Sequence, residues 1–227
     1  MIYQSNAFPG GEIKIDEYFD KVLYINMNKD KERNAYMIKQ FEQFNINNYE
    51  RIEAVEPEQG LILSDIANSI PISQYRNFIK NEYRYIVGQY YCRASHIKAI
   101  EYAKEKKYNK ILILEDDVVF VTDPNKLLKN NINILNDWDM LYFGGLIEHV
   151  FRNQIVESHA YALNYKLYDD IIHMAVSSGM EIDNFYAKII QQMSYNYNTS
   201  GKYNIRIAMP FNHLIQNKVF NSNIQNG

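Results

Sequence analysis

The sequence predicts an α/β fold in which a mostly parallel central sheet carries helices on both faces. Apolar strands and amphipathic helices alternate through the first two thirds of the 227-residue chain, the pattern of a parallel sheet with crossover helices. The clearest strand lies in the run Lys110–Phe120, where four aliphatic residues precede three consecutive carboxylates. Such a continuous apolar run is typical of a strand buried on both faces of a sheet.

Before this acidic strand, the spacing of apolar residues predicts four elements: a strand over 21–27, a helix over 29–44, a strand over 49–55 and a helix over 93–107. The region 56–82 is interrupted by Pro57, Gly60 and Pro71. We interpret that region as a long loop with one or two short helices, and a connection of this length is often a lid or a binding loop.

After the acidic strand, the same reasoning predicts a helix from Asp123-Pro124 to Leu135, a strand over 139–143, a hairpin over 147–157, a strand over 160–163, helices over 165–177 and 182–193, and a strand over 203–208. Asp123 suits a helix cap and Pro124 the first helical position. The chain has no internal repeat and no linker rich in Pro, Gly or Ser, so one domain over residues 1–227 is expected.

Composition argues against several classes of protein. Lys plus Arg is 24 and Asp plus Glu is 27, so the basic excess of a nucleic-acid-binding protein is missing. The basic residues around Lys104–Lys110 are interpreted as a solvated helix end. The single cysteine excludes an intrachain disulfide and a thiolate zinc cage. No signal pattern occurs and no apolar run approaches the roughly 20 residues of a membrane span, so a soluble cytoplasmic protein is expected.

The acidic triplet Glu115, Asp116 and Asp117 is expected at the carboxyl end of its strand, where α/β sheets collect their ligands. Like charges repel and their desolvation is unfavourable, so the cluster needs a cation or must hold protons. Mg²⁺ and Mn²⁺ prefer oxygen ligands and are commonly shared with a substrate phosphate. The triplet therefore predicts a metal–diphosphate site, with a solvated acidic turn as the alternative.

Short sequence blocks follow one another in a recognisable order: Tyr24–Arg33, Glu53–Val55, Cys92–His96, Leu112–Val118, Trp138–Gly145, His159–Tyr161, Ile182-Asp183 and Gln216–Ile224. In this order they resemble glycosyltransferase family 25, the lipopolysaccharide-type and collagen-type galactosyltransferases. Two positions depart from the family pattern, Tyr91 where Gly usually precedes the Cys block, and Asn184 where collagen-type members tend to carry a carboxylate.

The resemblance implies a GT-A type fold, a nucleotide-sugar donor, Mn²⁺ or Mg²⁺ as cofactor and an inverting mechanism. The expected reaction moves a hexose, with UDP-galactose as the leading donor, to a glycan, a lipopolysaccharide core or a hydroxylated protein side chain. The reaction is expected to belong to polysaccharide biosynthesis. No nucleic-acid partner and no membrane span are expected.

The resemblance also implies roles for the metal-site residues. Asp117 is expected to bind the cation directly, with Glu115 as the outer partner of the acidic pattern. Asp116 or Glu115 would hold the ribose or a metal-bound water. His213, in the carboxyl-terminal segment, is a candidate third metal ligand, because neutral imidazole suits Mn²⁺. A plain polar residue is the alternative for His213.

Asp183 is the candidate general base. An inverting transfer needs a carboxylate to accept the proton of the acceptor hydroxyl while the anomeric carbon is attacked from the face opposite the leaving group. Because Asp183 begins a predicted helix, a cap or a first-turn acid is the alternative reading. Asp139 is the competing candidate, and its position before a strand is interpreted as structural.

The remaining candidate donor-binding residues come from the matched blocks: Asn26, Arg33, Val55, Arg93, Ser95, His96, Gly145, His159 and Gln216. Asn26 and Arg33 lie at the mouth of the first strand, where the base and ribose should rest in this fold. Arg93, Ser95 and His96 are predicted at the start of a helix, where backbone N–H groups and a cation favour phosphate. Structural alternatives stay open: a helix-surface ion pair for Arg33, a cap for Ser95, buried imidazoles for His96 and His159, and a plain turn at Gly144-Gly145.

Two other functions compete with glycosyl transfer. The first is a catalytically silent carbohydrate- or nucleotide-binding module of the same fold, which the intact acidic triplet disfavours, since a retired site has no need to hold three repelling carboxylates. The second is a metal-dependent nucleotidyltransferase or phosphohydrolase. That function would need further carboxylates on neighbouring strands or a basic triphosphate clamp, and the sequence shows neither.

Overall fold

The structure, a computed structural model, describes residues 13–56, 80–130, 135, 137–148, 154–195, 205–207 and 215–217. In chain order its strands are β1 (Lys21–Asn26), β2 (Tyr49–Glu53), β3 (Lys110–Glu115), β4 (Val118–Phe120), β5 (Met140–Tyr142), β6 (Leu146–Glu148), β7 (Gln154–Val156), β8 (Ala160–Asn164), β9 (Ile205–Ile207) and β10 (Ile215–Asn217). Its helices are α1 (Ile15–Tyr18), α2 (Lys31–Gln43), α3 (Lys80–Glu105), α4 (Pro124–Asn130), α5 (Tyr168–Ser178), α6 (Ile182–Phe185) and α7 (Gln191–Tyr195).

Six of the described strands form the central sheet, in the order β2-β1-β3-β8-β5-β9. β1 pairs in parallel with β2 and β3, and β5 pairs in parallel with β9. Only β8 runs in the other direction, antiparallel to both β3 and β5. The prediction of a mostly parallel sheet is therefore confirmed.

Helices cover both faces of this sheet, as the sequence predicts. Successive strand residues point to opposite faces, so Val22 and Leu112 pack into one buried cluster and Leu23 and Ile113 into another. The first cluster takes its helical residues from α1, α2 and α4. The second takes them from α3, α5 and α6 and from a π-helical turn, Tyr186–Ile190, that joins α6 to α7.

The acidic strand has the predicted burial. Ile111, Leu112, Ile113 and Leu114 are each at most 1 % exposed, so β3 is buried on both faces. Burying four aliphatic side chains contributes roughly 1.5–3 kcal/mol each, which fixes β3 in the middle of the sheet. The chain reaches the sheet edge at Glu115, turns through Asp116 and Asp117, and continues into β4.

Helix α3 differs from the prediction. It begins at Lys80 rather than at residue 93, and it runs without a break to Glu105. A single interior glycine such as Gly88 disfavours a helix by only about 1 kcal/mol, and contacts of α3 with α5 and α6 outweigh that. The prediction that the Cys92–His96 block opens a helix was wrong, because the block lies in the middle of α3.

The carboxyl-terminal segment also contains an element that the sequence did not predict. β10 pairs antiparallel with β4, with Gln216 opposite Val119. The predicted loop lies outside the described residues over 57–79, and so does His213.

Several smaller predictions are confirmed. α4 begins at Pro124, and the Asp123 carboxylate accepts the Asn125 N–H at 2.9 Å. β6 and β7 form the expected hairpin, antiparallel with Leu146 opposite Val156. Within the described segments, no helix is long and apolar enough to cross a membrane.

Candidate active site

One edge of the central sheet gathers the polar side chains that the sequence singled out. The carboxyl ends of β1, β2, β3 and β5 meet there, and the reversed direction of β8 adds its amino end. The predicted residues at this edge are Asn26, Val55, Glu115, Asp116, Asp117, Gly145 and His159. The arrangement matches the rule that ligands of α/β sheets collect outside the carboxyl ends of strands.

Asp116 is held on both of its carboxylate oxygens. Asn26 Nδ2 donates a hydrogen bond to Asp116 Oδ2 at 2.7 Å, and Arg33 Nη1 donates to Oδ1 at 2.8 Å. Asp116 is 7 % exposed. Burial raises its pKa, and the hydrogen bonds from Arg33 and Asn26 oppose that rise. These contacts tie the acidic turn to the mouth of β1 and to the first turn of α2.

Arg51, on β2, completes this arrangement and was not predicted from the sequence. Its Nε donates to Asn26 Oδ1 at 2.9 Å, and its Nη2 donates to the Asn26 carbonyl oxygen at 3.2 Å. Arg51 therefore fixes the Asn26 amide with its nitrogen directed at Asp116. The available signal was a basic residue in a short strand, which the parallel register places beside Tyr24 of β1.

Asp117 is arranged differently from its neighbour. Its Oδ1 is buried and accepts no hydrogen bond from any residue in the described part of the chain. Its Oδ2 lies 3.8 Å from Arg33 Nη1. Burial, followed by repulsion from Glu115 and Asp116, raises the Asp117 pKa to about 7. A buried acceptor without a donor is unfavourable, so this oxygen is suited to a cation.

Glu115 ends β3 against His96 of α3. Glu115 Oε1 lies 3.3 Å from His96 Nε2. Loss of hydration, followed by repulsion from Asp183, raises the Glu115 pKa to about 7. A hard divalent cation binds deprotonated carboxylates, and its charge would offset the burial and repulsion that raise both pKa values. Asp117 and Glu115 fit Mn²⁺ or Mg²⁺ on these grounds.

His96 is buried inside a network of aromatic residues. The Tyr161 hydroxyl lies 2.8 Å from His96 Nδ1, and the Tyr186 hydroxyl lies 3.0 Å from that of Tyr161. Burial lowers the His96 pKa to about 4, so the imidazole is neutral near pH 7. Tyr161 and Tyr186 are thus parts of the site, and their signal in the sequence was only the position of Tyr161 in the His-x-Tyr block.

Cys92 lies one helical turn before His96. The potential ligand atoms of Cys92, His96 and Glu115 all lie within 4.8 Å of one another, so this trio is a second group that could hold a metal ion. Burial raises the pKa of the Cys92 thiol, and nearby carboxylates, Glu115 and Asp183 foremost, raise it further. The thiol is therefore protonated when no cation is bound.

Arg93 and Ser95 connect elements within the protein. Ser95 Oγ donates to the Tyr91 carbonyl oxygen at 2.7 Å and accepts the Val55 N–H at 2.9 Å. Arg93 Nη1 donates to the Met180 carbonyl oxygen at 2.6 Å, and Arg93 is buried. Because these residues lie inside α3, the helix N-terminus expected to bind phosphate is not at this position.

Asp183 lies in the first turn of α6 and faces the same edge. Its Oδ1 accepts the Ser158 N–H at 2.7 Å. One residue further along the chain, the His159 carbonyl oxygen accepts the Glu115 N–H at 2.8 Å. The short turn before β8 therefore connects the candidate base to the acidic strand. Asp139 lies at the opposite edge of the sheet, 3.6 Å from Lys166 Nζ, in an ion pair that supports its structural reading.

Gly145 and His159 complete the predicted set. Gly145 has φ +138°, and a Cβ atom there would lie 2.7 Å from the Val156 carbonyl oxygen. The close approach at Gly145 is thus to the β7 backbone. His159 is buried, and its Nδ1 lies 3.8 Å from the Glu157 carboxylate. Gln216 reaches this part of the molecule through the pairing of β10 with β4.

The chain is similar to several solved structures at low sequence identity, and three of them are described below. One is a glycosyltransferase involved in the glycosylation of the major capsid of PBCV-1, which is 13 % identical to this chain. The alignment covers 82 % of this chain and 79 % of that protein, with a TM-score of 0.41. HddC from Yersinia pseudotuberculosis is 15 % identical over 87 % of this chain and 72 % of its own, with a TM-score of 0.36. Mouse xyloside xylosyltransferase 1 is 11 % identical over 75 % of this chain and 69 % of its own, with a TM-score of 0.35.

No curated protein sequence matches the chain significantly. The family model of glycosyltransferase family 25, described as an LPS biosynthesis protein, matches residues 19–206. This match includes the acidic turn, the residues that hold it and Asp183. Because it spans most of the 227 residues, the chain belongs to glycosyltransferase family 25.

Proposed function

We propose that this protein is a metal-dependent, inverting glycosyltransferase that transfers a hexose from a UDP-sugar, with galactose as the first candidate. The acceptor would be a hydroxyl group of a glycan, of lipopolysaccharide or of a protein side chain. The observation that carries the proposal is the buried Oδ1 of Asp117, which has no hydrogen-bond donor among the described residues and lies at the carboxyl end of β3. Family membership supplies the reaction class.

Asp117 and Glu115 would hold the divalent cation. When bound, Mn²⁺ or Mg²⁺ stabilises the negative charge that develops on the diphosphate leaving group. The raised pKa values of both carboxylates, about 7 in each case, support this role, because a cation removes the repulsion that favours protonation. His213 remains a candidate for a further ligand.

Asp116 has a different role in this proposal. Both of its oxygens are already engaged by Asn26 and Arg33, so it orients the acidic turn and leaves Asp117 directed toward the ion. The Arg33 guanidinium lies 3.8 Å from Asp117 and would contribute positive charge beside a diphosphate. Asn26 and Arg33 therefore line the nucleotide side of the site.

Asp183 would act as the general base. The Ser158 N–H binds one of its oxygens at 2.7 Å, which orients the carboxylate and leaves the other oxygen for the acceptor hydroxyl. During the displacement, the acceptor oxygen bonds to the anomeric carbon as the bond to the diphosphate breaks. The hydroxyl proton passes to Asp183.

Nucleotide-sugar screening tests this proposal. Thermal melting of the protein should be measured with each donor, with and without Mn²⁺, and transfer or donor hydrolysis should then be assayed with the best donor. We expect a UDP-hexose to raise the melting temperature by mass action, and both stabilisation and turnover to disappear with a chelator and return with Mn²⁺. Stabilisation without any turnover would instead indicate a silent binding module, and turnover indifferent to chelation would contradict metal dependence.

A further inference from the structure

A buried chain of hydrogen bonds lies behind Glu115, on the side away from Asp116. Tyr186 and Tyr161 are joined through their hydroxyl groups at 3.0 Å, Tyr161 reaches His96 Nδ1 at 2.8 Å, and His96 Nε2 reaches Glu115 Oε1 at 3.3 Å. None of the three ring residues is more than 1 % exposed. Breaking one of these hydrogen bonds would therefore leave a buried polar group without a partner, which is unfavourable.

The three rings come from three different elements, so their relative positions are set by the fold. His96 belongs to α3, Tyr161 to β8 and Tyr186 to the π-helical turn after α6. The His96 and Tyr161 rings stack with centroids 5.7 Å apart, and the Tyr161 and Tyr186 rings meet edge to face at 5.1 Å. π-Helical turns are rare and often occur at functional sites. This one begins at Tyr186, the first residue in the series of hydrogen bonds.

The hydrogen-bond donors in this chain have one consistent direction when Glu115 is ionised. A carboxylate only accepts, so His96 Nε2 must carry the proton and donate to Glu115. His96 Nδ1 then accepts from the Tyr161 hydroxyl, and the Tyr161 oxygen accepts from the Tyr186 hydroxyl. Every donor is used once, which is the condition for a well-ordered buried network.

We propose that Tyr186, Tyr161 and His96 are positioning residues for Glu115, holding Oε1 of its carboxylate against the imidazole so that the other oxygen faces the cation and the donor. The inference rests on the proposed function. About a third of the Glu115 side chain is accessible, 31 %, so the carboxylate lies at the border between this network and the open edge of the sheet. Outer residues of this kind orient a ligand and set its basicity.

The nearby thiol suggests another use of His96, which the geometry disfavours. A soft metal ion held by Cys92, His96 and Glu115 would need His96 Nε2 as an unprotonated ligand. In the structure both ring nitrogens already have hydrogen-bond partners. Burial and the surrounding carboxylates also keep the Cys92 thiol protonated.

The test uses two substitutions that each remove one hydroxyl group, Tyr161→Phe and Tyr186→Phe. The dissociation constant for Mn²⁺ is measured by calorimetry in the presence of UDP, and kcat and KM are measured with the best donor. We expect Tyr161→Phe to weaken Mn²⁺ binding by about tenfold, the usual size for an outer residue of a metal site, and to lower kcat with little change in the acceptor KM. Tyr186→Phe should act in the same direction with a smaller effect.

Matched variants separate positioning from a general loss of packing. Tyr168→Phe removes another buried hydroxyl, one with no hydrogen-bond partner within the described residues, and it should leave Mn²⁺ affinity unchanged. His96→Gln keeps an N–H donor for Glu115 and should retain more Mn²⁺ affinity than His96→Leu. A purely structural role would lower the melting temperature of these variants without this difference in ion affinity.

Several results would overturn the inference. A folded Tyr161→Phe variant with the same Mn²⁺ affinity and kcat as the wild-type protein would overturn it directly. If the wild-type protein binds zinc and the Cys92→Ser variant binds neither zinc nor Mn²⁺, His96 belongs to a soft metal site instead. If the wild-type protein neither binds Mn²⁺ nor transfers sugar, the proposed function fails and takes this inference with it. An active, Mn²⁺-dependent wild type with unaffected network variants contradicts only the inference.

Discussion

At the residue scale, the surroundings give three consecutive carboxylates three different tasks. Asp116 is paired with the Arg33 guanidinium and accepts a hydrogen bond from the Asn26 amide, Asp117 keeps a buried oxygen without a donor among the described residues, and Glu115 faces a neutral imidazole. Similar side chains thus have different hydrogen-bond partners because their neighbours differ. In the proposed metal site two of the three carboxylates, Asp117 and Glu115, would be ligands, while Asp116 fixes the turn.

Asp183 offers a test that separates donor binding from sugar transfer. Asp183→Asn keeps an oxygen that can accept the Ser158 N–H, but it removes the group that would take the acceptor proton. We expect kcat for transfer to fall by at least about 100-fold, the lower range for a lost general base, while affinity for Mn²⁺ and UDP changes little. Steady-state transfer assays and calorimetry provide the two measurements.

Asp139→Asn is the matched control for this experiment. Asp139 is also a carboxylate next to a strand, but it lies at the opposite edge of the sheet beside Lys166. Its substitution should leave kcat near the wild-type value. Wild-type kcat in a folded Asp183→Asn variant would remove Asp183 from the mechanism.

At the element scale, the pattern of apolar residues predicted most strands and helices but misplaced the start of α3. The tyrosine-rich stretch before Arg93 and the glycine at 88 give no simple amphipathic signal, and tertiary contacts, such as those of Gln89 with Glu181 and of Arg93 with Met180, favour a helix there. The error mattered, because it placed Arg93 and Ser95 at a helix terminus. The structure shows them inside α3, where their side chains connect α3 to Met180 and Val55.

Gly145 offers a test of how the hairpin β6–β7 is seated. An alanine there would combine a positive φ of +138° with a Cβ atom 2.7 Å from the Val156 carbonyl oxygen. We expect Gly145→Ala to lower the free energy of unfolding by at least about 1–3 kcal/mol, the range for a strained backbone position. Denaturant unfolding followed by circular dichroism measures this change.

Gly88→Ala is the control, because Gly88 lies inside α3, where alanine is the better helix former. That variant should be neutral or more stable by up to about 1 kcal/mol. Equal stability of Gly145→Ala and the wild-type protein would mean that the turn after β5 relaxes more easily than its geometry implies.

At the scale of the whole molecule, the sequence predicted where the site lies but not how its residues are paired. The acidic strand and its position at a strand end follow from a local apolar run. The Asn26 and Arg33 contacts to Asp116 join residues 90 and 83 positions apart, and no local pattern specifies them. The antiparallel direction of β8, which brings Ser158 and His159 to the same edge as Asp117, is likewise decided by the assembled sheet.

The raised pKa values of Glu115 and Asp117 predict how metal-free stability depends on pH. Both pKa values rise to about 7 in the folded protein, from ordinary values of 4.5 for Glu115 and 3.8 for Asp117. Between these values the folded state binds more protons than the unfolded state, so these two groups make the protein less stable as pH increases from about 4 to about 7. Above about pH 7 the full penalty is present.

Divalent cations should reverse this trend, because they bind the deprotonated carboxylates. We expect Mn²⁺ to raise the melting temperature more at pH 8 than at pH 5.5, and Asp117→Asn to reduce both the metal-free decline and the Mn²⁺ effect. Thermal melts in chelator and in Mn²⁺ at the two pH values test this. Equal stabilisation by Mn²⁺ at both pH values would show that these carboxylates do not hold the ion.

Calorimetric titration of Mn²⁺ in the presence of UDP shows whether Asp117 holds a divalent cation that acts on the leaving diphosphate. We expect the wild-type protein to bind Mn²⁺ and Asp117→Ala to bind it at least about 100-fold more weakly, as for a lost ligand rather than an outer residue. Without metal ions, the Asp117→Ala variant should have a melting temperature no lower than that of the wild-type protein, because a repulsive buried carboxylate has been removed. Equal Mn²⁺ affinity in the two proteins would contradict this role of Asp117.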